Sequence, residues 1–143
     1  MIKSIHGLFA YLFLITTIVF VILSLISFFK KSDYKKTNKT LAKLAFISSH
    51  IQLVLGLILW WSQGYLTMLG EDMKAVMSDK AIRILAVEHP ATNILAIALL
   101  TIGFISIKKS ALDQTKHLQG IIYFGIALLL ILSCIPYQSW LKL

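Results

Sequence analysis

The sequence predicts an all-α membrane protein: a bundle of four transmembrane helices with a short interfacial helix in the loop between the second and third. Three observations predict it. Of the 143 residues, 58% are hydrophobic and 14% are charged, and the mean hydropathy is +0.83, well outside the apolar share of a soluble domain. Four apolar runs are each long enough to cross about 30 Å of hydrocarbon at about 1.5 Å per residue. The charges gather between those runs instead of spreading along them. Residues 1–143 therefore read as one four-helix transmembrane domain.

The first run covers residues 5–29. It is too long for the apolar core of a cleaved signal peptide, lacks a small-residue exit and ends in Lys30-Lys31, so it reads as a signal anchor. The second run, 44–61, carries Ser48, Ser49, His50 and Gln52 in its body. In the following loop Leu66, Leu69, Met73, Val76 and Met77 recur at helical spacing, with Glu71, Asp72 and Lys74 between them. That pattern fits a short amphipathic helix at the interface, and a packed surface loop would produce it equally well. Ser78 and Asp79 supply N-cap residues for the next helix.

The third run covers 84–107. If its helix starts near Asp79, Pro90 is internal, removes one backbone hydrogen bond and favours a kink. The carbonyl freed near Ala86 then needs a partner in a dry environment. The fourth run, 118–136, holds Cys134, the single cysteine of the chain. It cannot form an intrachain disulfide and reads as a small apolar filler.

The net charge is +8, but the basic residues sit at span ends, so no nucleic acid is expected as a partner. The loops 30–43 and 108–116 share one face and hold nine lysines. The opposite face holds five basic residues: Lys3, Lys74, Lys80, Arg83 and Lys142. The positive-inside rule makes the nine-lysine face cytoplasmic and places both termini outside.

All four histidines lie in or beside spans, where an ionisable side chain is a functional candidate. Several histidines in a small helical bundle suit haem ligation, in which two imidazoles hold iron from opposite sides. Depth counted from span midpoints separates His6 and His89 by roughly 6 Å, His50 and His117 by roughly 10 Å, and His50 and His89 by roughly 14 Å. His6 and His89 form the best-matched pair, with His50 as the alternative partner. Each also has a plainer reading. His6 suits an interfacial position, His50 an interhelical hydrogen bond, and His117, following Lys116, a lipid-phosphate contact.

His89 stands out by its company in "RILAVEHPATN". On a helix His89, Asn93, Ala96, Leu100 and Gly103 form one mostly small or polar stripe, which faces other helices. Glu88 is expected to share the interior with His89 and to be protonated or paired. An ideal helix places Arg83 and Glu88 about 140° apart, too far round for an intimate pair, and a kink at Pro90 leaves their pairing open. Arg83 would meet haem propionates at the outer mouth. The same residues also suit a polar plug, and spacing alone does not choose between the two.

The stretches "SSHIQLVLGLILWW", "IRILAVEHP…LTIGFISIKK" and "TKH…ALLLILSCIPY" resemble a family of small four-helix bacterial membrane proteins labelled cytochrome b-like. The matching positions are His6, His50 with Gln52, Arg83 with Glu88 and His89, Lys116 with His117, and Pro136 with Tyr137. Family members often carry an Arg shortly after the first His; here Tyr11 lies nearby and no Arg does. A looser likeness is to the four-helix halves of haem A synthase. The resemblance implies haem b, held by His89 with His6 or His50 and contacted by Arg83 and Glu88, in a bacterial cytoplasmic membrane. It also allows a relative that has lost the haem.

Two functions follow as expectations. One is a b-type cytochrome that passes electrons within the membrane, with quinone as a candidate partner. The other is a non-catalytic accessory subunit of a larger membrane complex, its histidines serving as hydrogen-bonding groups. A proton relay built on the histidine ladder ranks last, because Glu88 is the single acid within a span. Enzyme chemistry is not expected: the sequence has no nucleophile–base pair, zinc spacing or phosphate-binding glycine loop.

Overall fold

The computed structural model describes residues 1–137; Lys142 and the C-terminus, both used in the orientation above, lie outside the described residues. Four long helices carry the fold: α1 (Ile2–Phe29), α2 (Lys36–Ser62), α5 (Lys80–Lys109) and α6 (Asp113–Ser133). Two short helices, α3 (Tyr65–Glu71) and α4 (Met73–Ser78), fill the connection between α2 and α5. All four long helices have the length and hydropathy of membrane spans. They outrun the apolar stretches read from the sequence because polar residues continue each helix past the hydrocarbon.

Local chemistry sets the boundaries. Lys31 adopts a left-handed conformation, φ 52°, and the Ser32 N–H closes on the Ser27 carbonyl at 2.9 Å. This is the wrapped helix end in which a left-handed residue reverses the chain. Asn38 opens α2 by accepting the Lys35 N–H at 3.1 Å. Asp79 caps α5 as anticipated, taking the N–H groups of Ala81 and Ile82 at 2.8 and 3.0 Å. Ser78 instead closes α4, bonding back to the Ala75 carbonyl. The single interfacial helix expected here is two, because Asp72 takes the Ala75 N–H at 2.9 Å and starts a new helix. α6 stops at Ser133, three residues short of expectation. Pro136 bars helical geometry at the residue before it.

α1 and α2 pair as one hairpin and α5 and α6 as another; α2 packs on α5 and α1 on α6. Bilayer tails are as apolar as leucine, so close packing must hold the helices together. The contact faces are accordingly small: Thr17 and Ser24 on α1, Ala45 and Ser49 on α2, Ala96 on α5 and Ala127 on α6 are all fully buried. A Cβ at Gly103 would collide with Tyr123, and one at Gly120 would meet Ser24 Oγ at 2.9 Å and Phe20 Cζ at 3.0 Å. Those glycines admit Phe20 and Phe124, whose rings meet edge to face at 4.6 Å in the core. Thr17 and Ser49 satisfy their hydroxyls on their own helices, at Phe13 O (2.7 Å) and Phe46 O (2.8 Å).

The lysine-rich end of the bundle is clamped by polar contacts. The Tyr34 N–H donates to Asp113 Oδ2 at 3.0 Å, and His117 Nε2 donates to the Ser32 carbonyl at 3.1 Å. His117 is fully buried and packs on Tyr34, ring centres 5.1 Å apart. The lipid-phosphate reading of His117 is therefore corrected: it fastens the α1–α2 turn to α6. Burial pushes the Tyr34 phenol above its usual range, and its hydroxyl has no partner.

Candidate functional site

The opposite end of the bundle, which carries the N-terminus, is built around Pro90. Pro90 has no N–H to give, and the helix answers with a π turn over Ile84–Glu88, in which the His89 N–H reaches back to Ile84 O. The Ala86 carbonyl, expected to need a partner, accepts from Trp60 Nε1 of α2 at 2.8 Å. One missing hydrogen is thus replaced by a bond between two spans.

The π turn decides the question left open for Arg83 and Glu88. A turn closed by i→i+5 bonds brings residues five apart to the same side, and Arg83 Nε meets Glu88 Oε1 at 2.7 Å. Arg83 Nη1 donates to Met77 O at 2.8 Å. Glu88 is paired, as a lone intramembrane acid must be, but it is partly exposed. It does not share the interior with His89.

His89 does face inward. Its Nδ1 donates to the Cys134 carbonyl at 2.9 Å, and because a carbonyl can only accept, Nε2 keeps its lone pair in the neutral ring. Asn93, one turn along, bonds to the His89 carbonyl at 2.7 Å. The stripe continues through Ala96, Leu100 and Gly103, all buried.

His6 approaches from α1. Its ring centre is 6.5 Å from that of His89, with the planes at 77°. Its Nε2 contacts Gln52 Nε2 of α2 at 3.1 Å, while His6 Nδ1 and Gln52 Oε1 are both buried without partners. Gly56 makes the room: a Cβ there would stand 3.1 Å from His6 Cε1. His6, His89, Gln52 and Asn93 line a cavity of about 380 Å³, within the size range of small-ligand sites. Phe13, Leu14, Ile97 and Ile131 are among its apolar walls, and Lys3, Gln63 and Tyr65 also line it.

Of the residues singled out in the sequence, His6 and His89 are brought together. His50 is not. Its Nδ1 donates to Phe46 O on its own helix at 2.7 Å, its Nε2 sits 3.4 Å from Thr101 Oγ1, and it is not among the cavity-lining residues. Arg83 and Glu88 do not line the cavity either. Sequence reading missed Lys3 and Trp60. Trp60 had a signal, since an indole N–H on a neighbouring span is a natural donor for a carbonyl orphaned by proline.

No family model, curated protein or solved structure matches this chain.

The donor set can be weighed against metal chemistry. Among the described residues no three histidine, cysteine or acidic side chains gather as a metal site. Two imidazoles are too few for a structural zinc, which takes four protein ligands. They are the number that haem leaves to the protein. Metal–imidazole bonds of about 2 Å, with each ring centre roughly 1 Å behind its nitrogen, put two axial imidazoles about 6 Å apart. The 6.5 Å between the His6 and His89 ring centres is close to that spacing, with the ring planes at 77°. Were His89 to ligate through Nε2, its bond to the Cys134 carbonyl would be the kind of outer contact that orients such an imidazole. On the His6 side, Gln52 must release Nε2 or the ring must turn to present it.

Proposed function

We propose that this protein is a b-type haem-binding membrane protein that carries electrons in a bacterial cytoplasmic membrane, with both termini outside. The observation that supports the reading is the pair His6 and His89, their ring centres 6.5 Å apart, both lining an otherwise mainly apolar cavity. The two would hold haem b, which would supply one-electron redox chemistry when bound. His89 would ligate through Nε2, oriented by the Cys134 carbonyl. Gln52 would release His6 Nε2 or the ring would turn, Gly56 would leave room for that ring beside α2, and the apolar walls would exclude water. Quinol is a fitting electron donor for a carrier confined to the bilayer.

The test is a reduced-minus-oxidised absorption spectrum of purified protein expressed with ample haem. Wild type and His50→Ala should show the sharp bands of a six-coordinate b-type haem; His89→Ala and His6→Ala should lose them or become high-spin. An unchanged spectrum in His89→Ala defeats the ligand assignment. No haem in the wild type defeats the haem reading and leaves that of an accessory subunit, with histidines serving as hydrogen-bonding groups.

A further inference from the structure

The polar groups of the cavity are unevenly placed. Its body carries neutral donors and acceptors: His6, Gln52, His89 and Asn93. Toward the N-terminus of α1 it carries Lys3, and no acidic side chain among the described residues lines it. Lys3 precedes His6 by three residues on α1, so the two share a helix face and differ in depth by about 4.5 Å. The long lysine chain extends that reach toward water. Lys3 enters neither of the two ion pairs among the described residues, which join Arg83 to Glu88 and Lys116 to Asp113. Tyr65, the first residue of α3, adds a phenol to the lining. Burial raises that phenol above its usual range, so it stays a neutral donor at physiological pH.

A largely apolar cavity with a cation and a phenol in its lining, and no acid among the described residues, is complementary to an amphiphile whose far end is anionic. Arg83, the residue placed there from sequence, is engaged with Glu88 and the Met77 carbonyl and lies outside the lining. We propose that Lys3, assisted by Tyr65, is the carboxylate-binding group of this cavity, so that it selects a ligand bearing free carboxylates at its outer end. This rests on the haem reading, in which those carboxylates are the two propionates.

The experiment compares two probes, haem b and its dimethyl ester, in which both propionates are blocked. Each is titrated into detergent-solubilised, haem-free full-length protein and followed in the Soret band. Wild type should prefer free haem b by about three- to fivefold, the order of a solvent-accessible ion pair, and the preference should shrink as salt rises. Lys3→Gln should abolish the preference, Lys3→Glu should reverse it, Lys3→Arg should keep it, and Arg83→Gln should leave it as in wild type. A preference that survives Lys3→Gln, or is lost in Arg83→Gln, overturns the assignment of Lys3 while leaving the haem reading standing. Equal binding of both probes by wild type does the same. Failure of wild type to bind either probe overturns the haem reading itself.

Discussion

The bond from Trp60 to the Ala86 carbonyl can be tested as half of a pair whose other half is Pro90. Ala86 is 2% exposed, so its carbonyl has no ready access to water if the indole is removed. Stranding a buried acceptor costs about 1–3 kcal/mol, and interhelical hydrogen bonds measured within membranes reach about 1.7 kcal/mol. Trp60→Phe in the native background should therefore cost about 1–2 kcal/mol beyond its loss of packing. In a Pro90→Ala background, residue 90 regains an N–H one helical turn beyond Ala86. The same Trp60→Phe change should then cost little beyond packing, which is common to both arms and cancels in the double-mutant cycle. The coupling should be about 1 kcal/mol, read from SDS-driven unfolding in mixed micelles followed by far-ultraviolet circular dichroism. Equal costs in the two backgrounds would refute the account of the indole as the replacement for proline's missing hydrogen.

Three further outcomes are expected. Gly103→Ala should destabilise the bundle by about 1–3 kcal/mol, because its Cβ meets Tyr123 close to the backbone, whereas Gly70→Ala, in open space, should be neutral or slightly stabilising; thermal melts of the two distinguish them. Burial holds the Tyr34 phenol above its ordinary value of 10.0, so the unfolded chain ionises first: stability is complete below about pH 10 and falls as pH rises toward the folded value. Tyr34→Phe should lack that part of the alkaline fall and be neutral or stabilising at pH 7, since the hydroxyl has no partner, as melts from pH 7 to 11 would show. Single cysteines at Asp33 and Ser78, both exposed, in a Cys134→Ser background should label oppositely in intact cells: position 78 with an impermeant reagent and position 33 only after permeabilisation. Labelling of 33 alone would invert the proposed orientation.

The four spans were legible because each is an apolar run bounded by charge, and helix is the structure a single span must adopt to satisfy its backbone. The inward face of α5 was legible for a similar reason, since His89, Asn93, Ala96 and Gly103 lie on one stripe. The pairing of His6 with His89 followed from depth arithmetic, although their 6.5 Å separation needed coordinates. What failed depended on departures from the ideal helix. Arg83 and Glu88 pair because a π turn adds a residue to the turn between them, and a 100° periodicity cannot represent that. His117 was misread because Lys116 beside it suggested a lipid surface. Its true partner is a backbone carbonyl 85 residues away, and backbone acceptors carry no residue signature. Lys3 looked like an ordinary flanking charge, since nothing in its neighbours reveals a cavity beside it.

The polar clamp at the lysine-rich end has a consequence for assembly order. Ser32, Tyr34, Asp113 and His117 tie the two hairpins together without help from any ligand, and the aromatic contact of Phe20 with Phe124 adds to that union. The cavity lies toward the other end of α1, beside Lys3 and His6. The union of the hairpins at the lysine-rich end therefore rests on residues distinct from those lining the cavity. Under the haem reading proposed above, loading would be a separable event on a bundle already joined at that end.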